Sequence, residues 1–205
     1  MKLGLIGAEG RMGKSVLALS QEIEVVSIVK NSDISSLLHE CDVALDLSSK
    51  EAVRLNLPKI LQAKKPYVIG VTGLDTETLS ELSLAASQIP IFLSANFSEG
   101  IGLVKKIIDL LPKGSYAISE THHARKKDAP SGTALELANR LPSPSKISSI
   151  REGDAVGLHK ITLHLEFETL EIIHEAFDRK AFARGALQAC RFLLDKPPGL
   201  YRELH

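Results

Sequence analysis

The chain has 205 residues, of which 44% are hydrophobic, and its 25 basic and 25 acidic side chains give a net charge of zero. The apolar content is enough for one large or two small domains, and the absence of a basic surplus argues against a general nucleic-acid binder. No apolar run is long enough to span a membrane, and the N-terminus is typical of a strand rather than a signal peptide. We therefore expect a cytoplasmic protein that binds neither nucleic acid nor membrane, with Cys41 and Cys190 as reduced core residues.

Strands and helices alternate through the first half of the chain. Short apolar strands are predicted at residues 3–6, 23–29, 43–47, 67–69 and 91–93. Helices are predicted at residues 11–20, 52–61 and 76–86. The link from 29 to 42 is too short for a full crossover helix, so only about one helical turn is expected there. This alternation predicts a parallel sheet with right-handed crossovers, in a trimmed Rossmann-type domain.

The second half of the chain has a different pattern. It predicts a strand at 115–119, a helix at 133–140, and two strands at 159–167 and 170–175 that alternate polar and apolar residues. A final helix is predicted from about Asp178 to Leu194, where Pro197-Pro198-Gly199 follows. The predicted fold class is therefore α/β: a Rossmann-type parallel sheet plus a smaller α+β domain with a mixed, largely antiparallel sheet. We expect a dinucleotide-binding domain at 1–97 and a substrate and oligomerisation domain at 98–177, with the C-terminal helical segment 178–205 packing on the first.

A glycine-rich loop follows the first predicted strand and opens the first helix. Such loops bring the backbone close to a pyrophosphate, while the helix N-terminus supplies N–H donors. The spacing is G-x-x-G-x-x-G rather than the commoner G-x-G-x-x-G, so a turn without a ligand remains an alternative. The candidate cofactor-binding residues of this loop are Gly7, Ala8, Glu9, Gly10, Arg11 and Met12.

Lys30 occupies the end of the second predicted strand, where an acidic residue usually binds the ribose hydroxyls. A lysine there can pair with a 2′-phosphate, which predicts that NADPH is used at least as well as NADH. A solvated lysine at a strand end is the alternative.

The densest chemical signal is the segment from Glu120 to Ala134, with the sequence ETHHARKKDAPSGTA. His122 can exchange a proton near neutral pH, and His123 and Lys126 can form charge-assisted hydrogen bonds. Gly132 and Thr133 lie at a predicted helix start, where free N–H groups can hold a carboxylate. The combination suits a small anionic substrate that needs protonation. A solvated cationic loop is the alternative; joint metal chelation is disfavoured, because adjacent strand residues point to opposite sides.

This segment resembles the signature E-x-H-H-x-x-K-x-D-A-P-S-G-T-A of the 4-hydroxy-tetrahydrodipicolinate reductase (dihydrodipicolinate reductase) family, and every fixed position is met. Segments elsewhere that also resemble the family are Gly7 to Gly13, Gly70 to Gly73, Ser94 to Ser98, Arg151 to Gly157 and Phe182 to Ala186. In the family, the segments at 70–73 and 94–98 lie beside the cofactor. The further candidate cofactor-binding residues are therefore Gly70, Val71, Thr72, Ser94, Ala95, Asn96 and Phe97.

The resemblance implies roles for the central segment. NADPH or NADH would deliver a hydride to the substrate ring, and His122 would be the general acid/base for the adjacent carbon. Lys126 would be a second proton donor or would polarise the side of the ring nitrogen. His123 would hold one substrate carboxylate, and Gly132 with Thr133 the other. The product would be tetrahydrodipicolinate, in the diaminopimelate/lysine pathway, and homologues are usually tetramers built through the substrate-domain sheet.

The chain departs from the family in its short link after the second strand and in Lys30, which affects cofactor preference rather than the reaction. Two other functions remain open from the residues themselves. One is another two-domain reductase, such as a semialdehyde dehydrogenase, which would need a nucleophilic cysteine. The other is a protein that binds NAD(P)H without turnover, for which nothing would require the cluster of His122, His123 and Lys126.

Overall fold

The computed structural model describes residues 1–21, 23–27 and 33–204. The chain divides into two compact units, one formed by Met1–Phe97 with Phe182–His205 and the other by Ser98–Ala181. Within the described ranges, no helix is both long and apolar enough to cross a membrane.

The first unit is built from short buried strands joined by helices. Its strands are β1 (Lys2–Ile6), β2 (Glu24–Ser27), β3 (Val43–Asp46), β4 (Tyr67–Ile69), β5 (Pro90–Leu93) and β10 (Gly199–Tyr201). Its helices are α1 (Arg11–Leu19), α2 (Ser35–Glu40), α3 (Lys50–Gln62), α4 (Thr76–Ala85) and α7 (Lys180–Leu194), the last of which starts just before the unit boundary. The described strands form one parallel sheet in the order β10-β5-β4-β3-β1-β2. In the described part of the link after β2, α2 has six residues, which is a short helix of between one and two turns, as predicted.

The central strands of this sheet are buried because helices cover both faces. β3 and β4 are buried at every position. One core cluster contains side chains of α2, α3 and α4, and the other contains those of α1 and α7. α7 thus packs in the first unit. It ends at Leu194 and is followed by a strand, β10. This strand was not predicted because it comes directly after Pro197-Pro198 and begins with Gly199, a sequence typical of a turn.

The second unit combines a four-stranded sheet with two helices. Its elements are α5 (Glu99–Ile108), β6 (Ser115–His122), α6 (Gly132–Arg140), β7 (Ser145–Arg151), β8 (Gly157–His164) and β9 (Thr169–Ala176). The sheet order is β7-β6-β8-β9, with β6 parallel to β7 and antiparallel to β8. Alternate residues of β6 and β8 are buried, and they contribute with α5 and α6 to a separate core. The two sheets confirm the predicted fold class.

Candidate functional site

The predicted cofactor-binding segments of the first unit meet at one edge of its sheet. The glycine loop follows β1, Gly70 to Thr72 follow β4, and Ser94 to Phe97 follow β5. All three segments therefore leave the carboxyl ends of parallel strands. In the sheet, β1 lies between β2 and β3, so the strand order reverses direction at β1. Nucleotides bind open α/β sheets at this kind of position.

The glycines of this loop allow a tight turn after β1 and a close approach of α1 to that turn. Gly7 has a φ of +86°, which favours glycine, and a Cβ at Gly13 would lie 2.3 Å from the carbonyl oxygen of Gly7. Gly10 caps α1 without a side-chain hydrogen bond. The first N–H groups of α1 are thus available to an anion, with Glu9 and Arg11 exposed beside them. Lys30, the predicted cofactor-selecting residue, lies outside the described residues.

In the segment at 94–98, the side chain of Ser94 is bonded back to its own loop. Its hydroxyl donates to the carbonyl of Asn96 over 2.8 Å and accepts from the Asn96 N–H over 3.2 Å. Ser94 and Phe97 are buried, whereas Ala95 is exposed. A Cβ at Gly70 would lie 2.8 Å from the Phe97 ring, so glycine at 70 allows these two segments to pack together.

The second unit brings the predicted substrate residues into the segment between β6 and α6. His122 ends β6 on the inner face of the sheet, and His123 is buried one residue later. Lys126 lies in the following loop, where its ammonium pairs with the Asp128 carboxylate at 2.8 Å. Gly132 and Thr133 are the first two residues of α6, whose N-cap is Ser131. The loop between β6 and α6 contains a cis peptide bond between Ala129 and Pro130.

Glu120, two residues before His122 on the same face of β6, is completely buried. Its carboxylate accepts hydrogen bonds from both terminal nitrogens of Arg151, over 2.7 and 3.0 Å, and from the N–H of Ser131 over 3.2 Å. It also accepts from Nδ1 of His122. Burial alone would raise the pKa of Glu120, but the hydrogen bonds from Arg151, Ser149 and His122 outweigh it and lower the pKa to about 2. Glu120 is therefore an anion at neutral pH.

His122 experiences opposing influences. Burial lowers its pKa and is the largest of them, whereas the hydrogen bond and charge of Glu120 raise it. The positive charges of Lys126 and Arg151 lower it further, so the net shift is downward. The imidazole can thus exchange a proton, and its pKa depends on these three charged neighbours.

Two further histidines extend this cluster across the sheet. His159 pairs with Glu120 on β6 and with His174 on β9 in the strand register, and the His122 and His159 rings meet edge to face at 5.2 Å between centroids. Burial and the neighbouring histidines lower the pKa of His159 to about 3, so it is neutral. Its Nε2 lies 3.3 Å from the Ser131 hydroxyl, which in turn caps α6. His159 therefore supports the helix start that carries Gly132 and Thr133.

One oxygen of Glu120 and one nitrogen each of His122 and His159 lie within 4.8 Å of one another, a spacing that suits metal ligands. The Glu120 oxygens, however, already accept hydrogen bonds from Arg151, Ser131 and His122. A cation there would have to displace a bidentate guanidinium. We assign no metal to this cluster.

Sequence reasoning did not select Arg151, His159 or Gly157 as site residues. Arg151 and Gly157 are the first and last residues of a segment that resembles the family. Arg151 binds Glu120, which in turn contacts His122. Gly157 lies next to His122, since a Cβ at Gly157 would be 3.2 Å from Nε2 of His122. Their presence in that segment was the available signal, but only the pairing of β7 and β8 with β6 shows what they contact.

Comparison with known proteins identifies the family. The model of the dihydrodipicolinate reductase N-terminus matches residues 1–97, and that of the C-terminus matches residues 101–204. A 4-hydroxy-tetrahydrodipicolinate reductase of Xanthomonas campestris pv. campestris is 37% identical over 227 residues, covering 98% of this chain and 95% of the relative. The chain belongs to the dihydrodipicolinate reductase family. A reductase of the same name from Sulfurimonas denitrificans is 33% identical, covering 98% of this chain and 96% of the relative.

A solved dihydrodipicolinate reductase from Paenisporosarcina sp. TG-14, described as bound to dipicolinate, has the same fold. The TM-score is 0.81 at 23% identity, with 100% of this chain and 98% of that chain covered. Membership of the dihydrodipicolinate reductase family confirms the predicted enzyme class, an NAD(P)H-dependent oxidoreductase, and with it the predicted nicotinamide cofactor.

Proposed function

We propose that this chain catalyses the NAD(P)H-dependent reduction of 4-hydroxy-tetrahydrodipicolinate, or of dihydrodipicolinate, to tetrahydrodipicolinate in the diaminopimelate/lysine pathway. The observation that carries the proposal is the cluster of His122, Lys126 and the α6 N-terminus within a chain of this family. The names of the relatives support the same reaction.

When bound, the nicotinamide supplies the hydride. The residues proposed to hold the cofactor are those at the carboxyl ends of β1, β4 and β5: Gly7, Ala8, Glu9, Gly10, Arg11, Met12, Gly70, Val71, Thr72, Ser94, Ala95, Asn96 and Phe97. The first N–H groups of α1, which follow the glycine loop, would take the pyrophosphate. Lys30 is proposed to favour NADPH through its charge.

The proton that balances the hydride is proposed to come from His122. Its Nδ1 faces Glu120, so Nε2 is the atom available to the substrate. Gly157, opposite on β8, leaves room next to Nε2. Lys126, held near Asp128, is proposed as the second proton donor or as the group that polarises the ring nitrogen.

One carboxylate of the substrate would be held at the start of α6. The N–H groups of Gly132 and Thr133 belong to the first turn of that helix, which carries a partial positive charge. His123, which is buried one residue after the end of β6, is proposed to hold the other carboxylate. The dipicolinate named for the Paenisporosarcina structure is itself a small dicarboxylate, which supports this assignment.

The second unit is also proposed to form the homotetramer interface. Ile150 and Ile173 are on strands of its sheet and expose 43% and 58% of their surface, and Phe167 in the turn after β8 exposes 91%. A second copy of this sheet would cover these apolar side chains. The cytoplasmic location remains a prediction.

A semialdehyde dehydrogenase activity is disfavoured by the two cysteines. Cys41 and Cys190 are buried, and burial raises the pKa of both thiols. Neither is thus suited to act as a nucleophile.

The test is oxidation of NADPH, followed by absorbance, in the presence of dihydrodipicolinate synthase and its substrates. Turnover that requires both the synthase and this chain is expected. NADPH binding without oxidation would reject the proposal in favour of a nucleotide-binding protein without activity.

A further inference from the structure

We propose that Glu120 and Arg151 are positioning residues, which hold the His122 ring with Nδ1 protonated and Nε2 directed to the substrate and link that ring to the loop carrying Lys126. This inference rests on the proposed function in taking His122 as the proton donor. Neither Glu120 nor Arg151 is proposed to touch the substrate.

The orientation of His122 follows from the acceptor character of its partner. A carboxylate that is an anion only accepts hydrogen bonds, so Nδ1 of His122 must carry the proton that they share. Nε2 is then the atom that gains and loses the transferred proton. The absence of a side chain at Gly157, whose Cβ would stand 3.2 Å away, keeps the approach to Nε2 open.

Arg151 fixes Glu120 in turn. Its two terminal nitrogens bind the two oxygens of the carboxylate, and one of them also donates to the carbonyl of Asp128 over 2.6 Å. Asp128 is the residue whose carboxylate pairs with Lys126. The Arg151 guanidinium therefore binds both Glu120, the partner of His122, and the loop that carries Lys126.

The charge balance around His122 explains why a buried ion pair is placed here. His122 faces Glu120 on its own strand, Arg151 on β7, the neutral His159 on β8 and Lys126 in the loop. The two cations and burial lower the pKa of His122, and Glu120 is the one group among these that raises it. A buried ion pair is a weak source of stability compared with apolar packing. Because Glu120 contacts the imidazole, the ion pair is better explained by its effect on the protonation of His122.

The first test needs no variant. Nitrogen chemical shifts of His122 in the ligand-free wild-type chain report which ring nitrogen is protonated in the neutral form. The Nδ1–H form is expected. The Nε2–H form would overturn the proposal.

The second test removes the charge of Glu120. The Glu120→Gln variant is expected to lower the pKa of His122, measured by NMR, by about one unit or more. The pH above which kcat falls should move down by a similar amount, because less of the donor is then protonated. Glu40→Gln, the same change at an exposed site in the first unit, should alter neither value. An unchanged His122 titration in a folded Glu120→Gln protein would contradict the inference.

Arg151→Lys retains the positive charge but loses the two-nitrogen contact. We expect kcat to fall about tenfold or more while the KM for NADPH stays within about twofold, since cofactor-binding segments belong to the first unit. An equal change in kcat and in the KM for NADPH, or a change in neither, would overturn the role of Arg151. The NMR titration does not depend on turnover, so an inactive wild-type chain would reject the proposed function separately from the Glu120–His122 relationship.

Discussion

Gly185 on α7 lies directly against the backbone carbonyl of Phe97: a Cβ at position 185 would be 1.7 Å from that oxygen. The two residues come from separate family-like segments, 94–98 and 182–186, which are far apart along the chain. The contact shows that they form one structural feature, in which α7 approaches the end of the segment after β5. Glycine at 185 thereby sets the position of Phe97, one of the proposed cofactor-binding residues.

Gly185→Ala is expected to reduce the free energy of unfolding by about 1–3 kcal/mol, because the added methyl group must displace backbone rather than a flexible side chain. Urea unfolding measures this. Gly102→Ala in α5 is the matched control: no atom lies within 4 Å of its added Cβ, and alanine should stabilise that helix by about 0.5–1 kcal/mol. Equal stabilities of the two variants would argue against the close contact.

His122→Ala and Lys126→Ala should each lower kcat by about 100-fold or more, the usual contribution of a positioned acid or base. Cofactor affinity should change little, since neither side chain belongs to the first unit. Steady-state kinetics together with NADPH titration by fluorescence separate the two effects. Near-normal turnover in either variant would reject its proposed role.

Lys30→Ala tests cofactor preference. If the ammonium of Lys30 pairs with a 2′-phosphate, the variant should lose about tenfold in kcat/KM for NADPH while NADH is affected little. The ratio of the two kcat/KM values is the informative quantity. A wild-type chain that strongly prefers NADH would contradict the prediction before any variant is made.

Acid should weaken the contribution of Glu120 to stability. Its pKa in the folded chain is about 2, below the ordinary value of 4.5, so its contribution is present above pH 4.5 and is lost as the pH falls toward 2. The difference in unfolding free energy between wild type and Glu120→Gln, measured in urea, should therefore shrink between pH 6 and pH 3. A difference that stays constant would show that Glu120 is not a stabilised anion.

Much of the fold could be predicted because most elements carry a clear local pattern. The alternation of apolar strands and helices in the first half indicated the parallel sheet, and the period of two in β8 and β9 indicated a sheet with one buried face. α5 and β7 were not predicted. β7 follows a segment rich in Pro and Ser, and its residues are half-buried or exposed in alternation, so its sequence lacks a strong apolar face.

The candidate site was only partly predictable for a related reason. His122, Lys126 and Gly132 lie within one segment, so their proximity follows from the sequence alone. Arg151 and His159 lie beside this segment because β7 and β8 pair with β6. No local sequence pattern specifies which strands pair. The row formed by Ser149, Glu120, His159 and His174 across four strands exists only because β6 pairs in parallel on one side and antiparallel on the other.

The strand β10, paired with β5 at the sheet edge, has a consequence for how the chain folds during synthesis. The first unit takes most of its last helix and its edge strand from residues 182–201, so its core cannot close until these residues have left the ribosome. The second unit is a continuous stretch and has no such delay. The second unit can therefore fold while the first unit still lacks α7, and contacts between residues so distant in sequence form slowly.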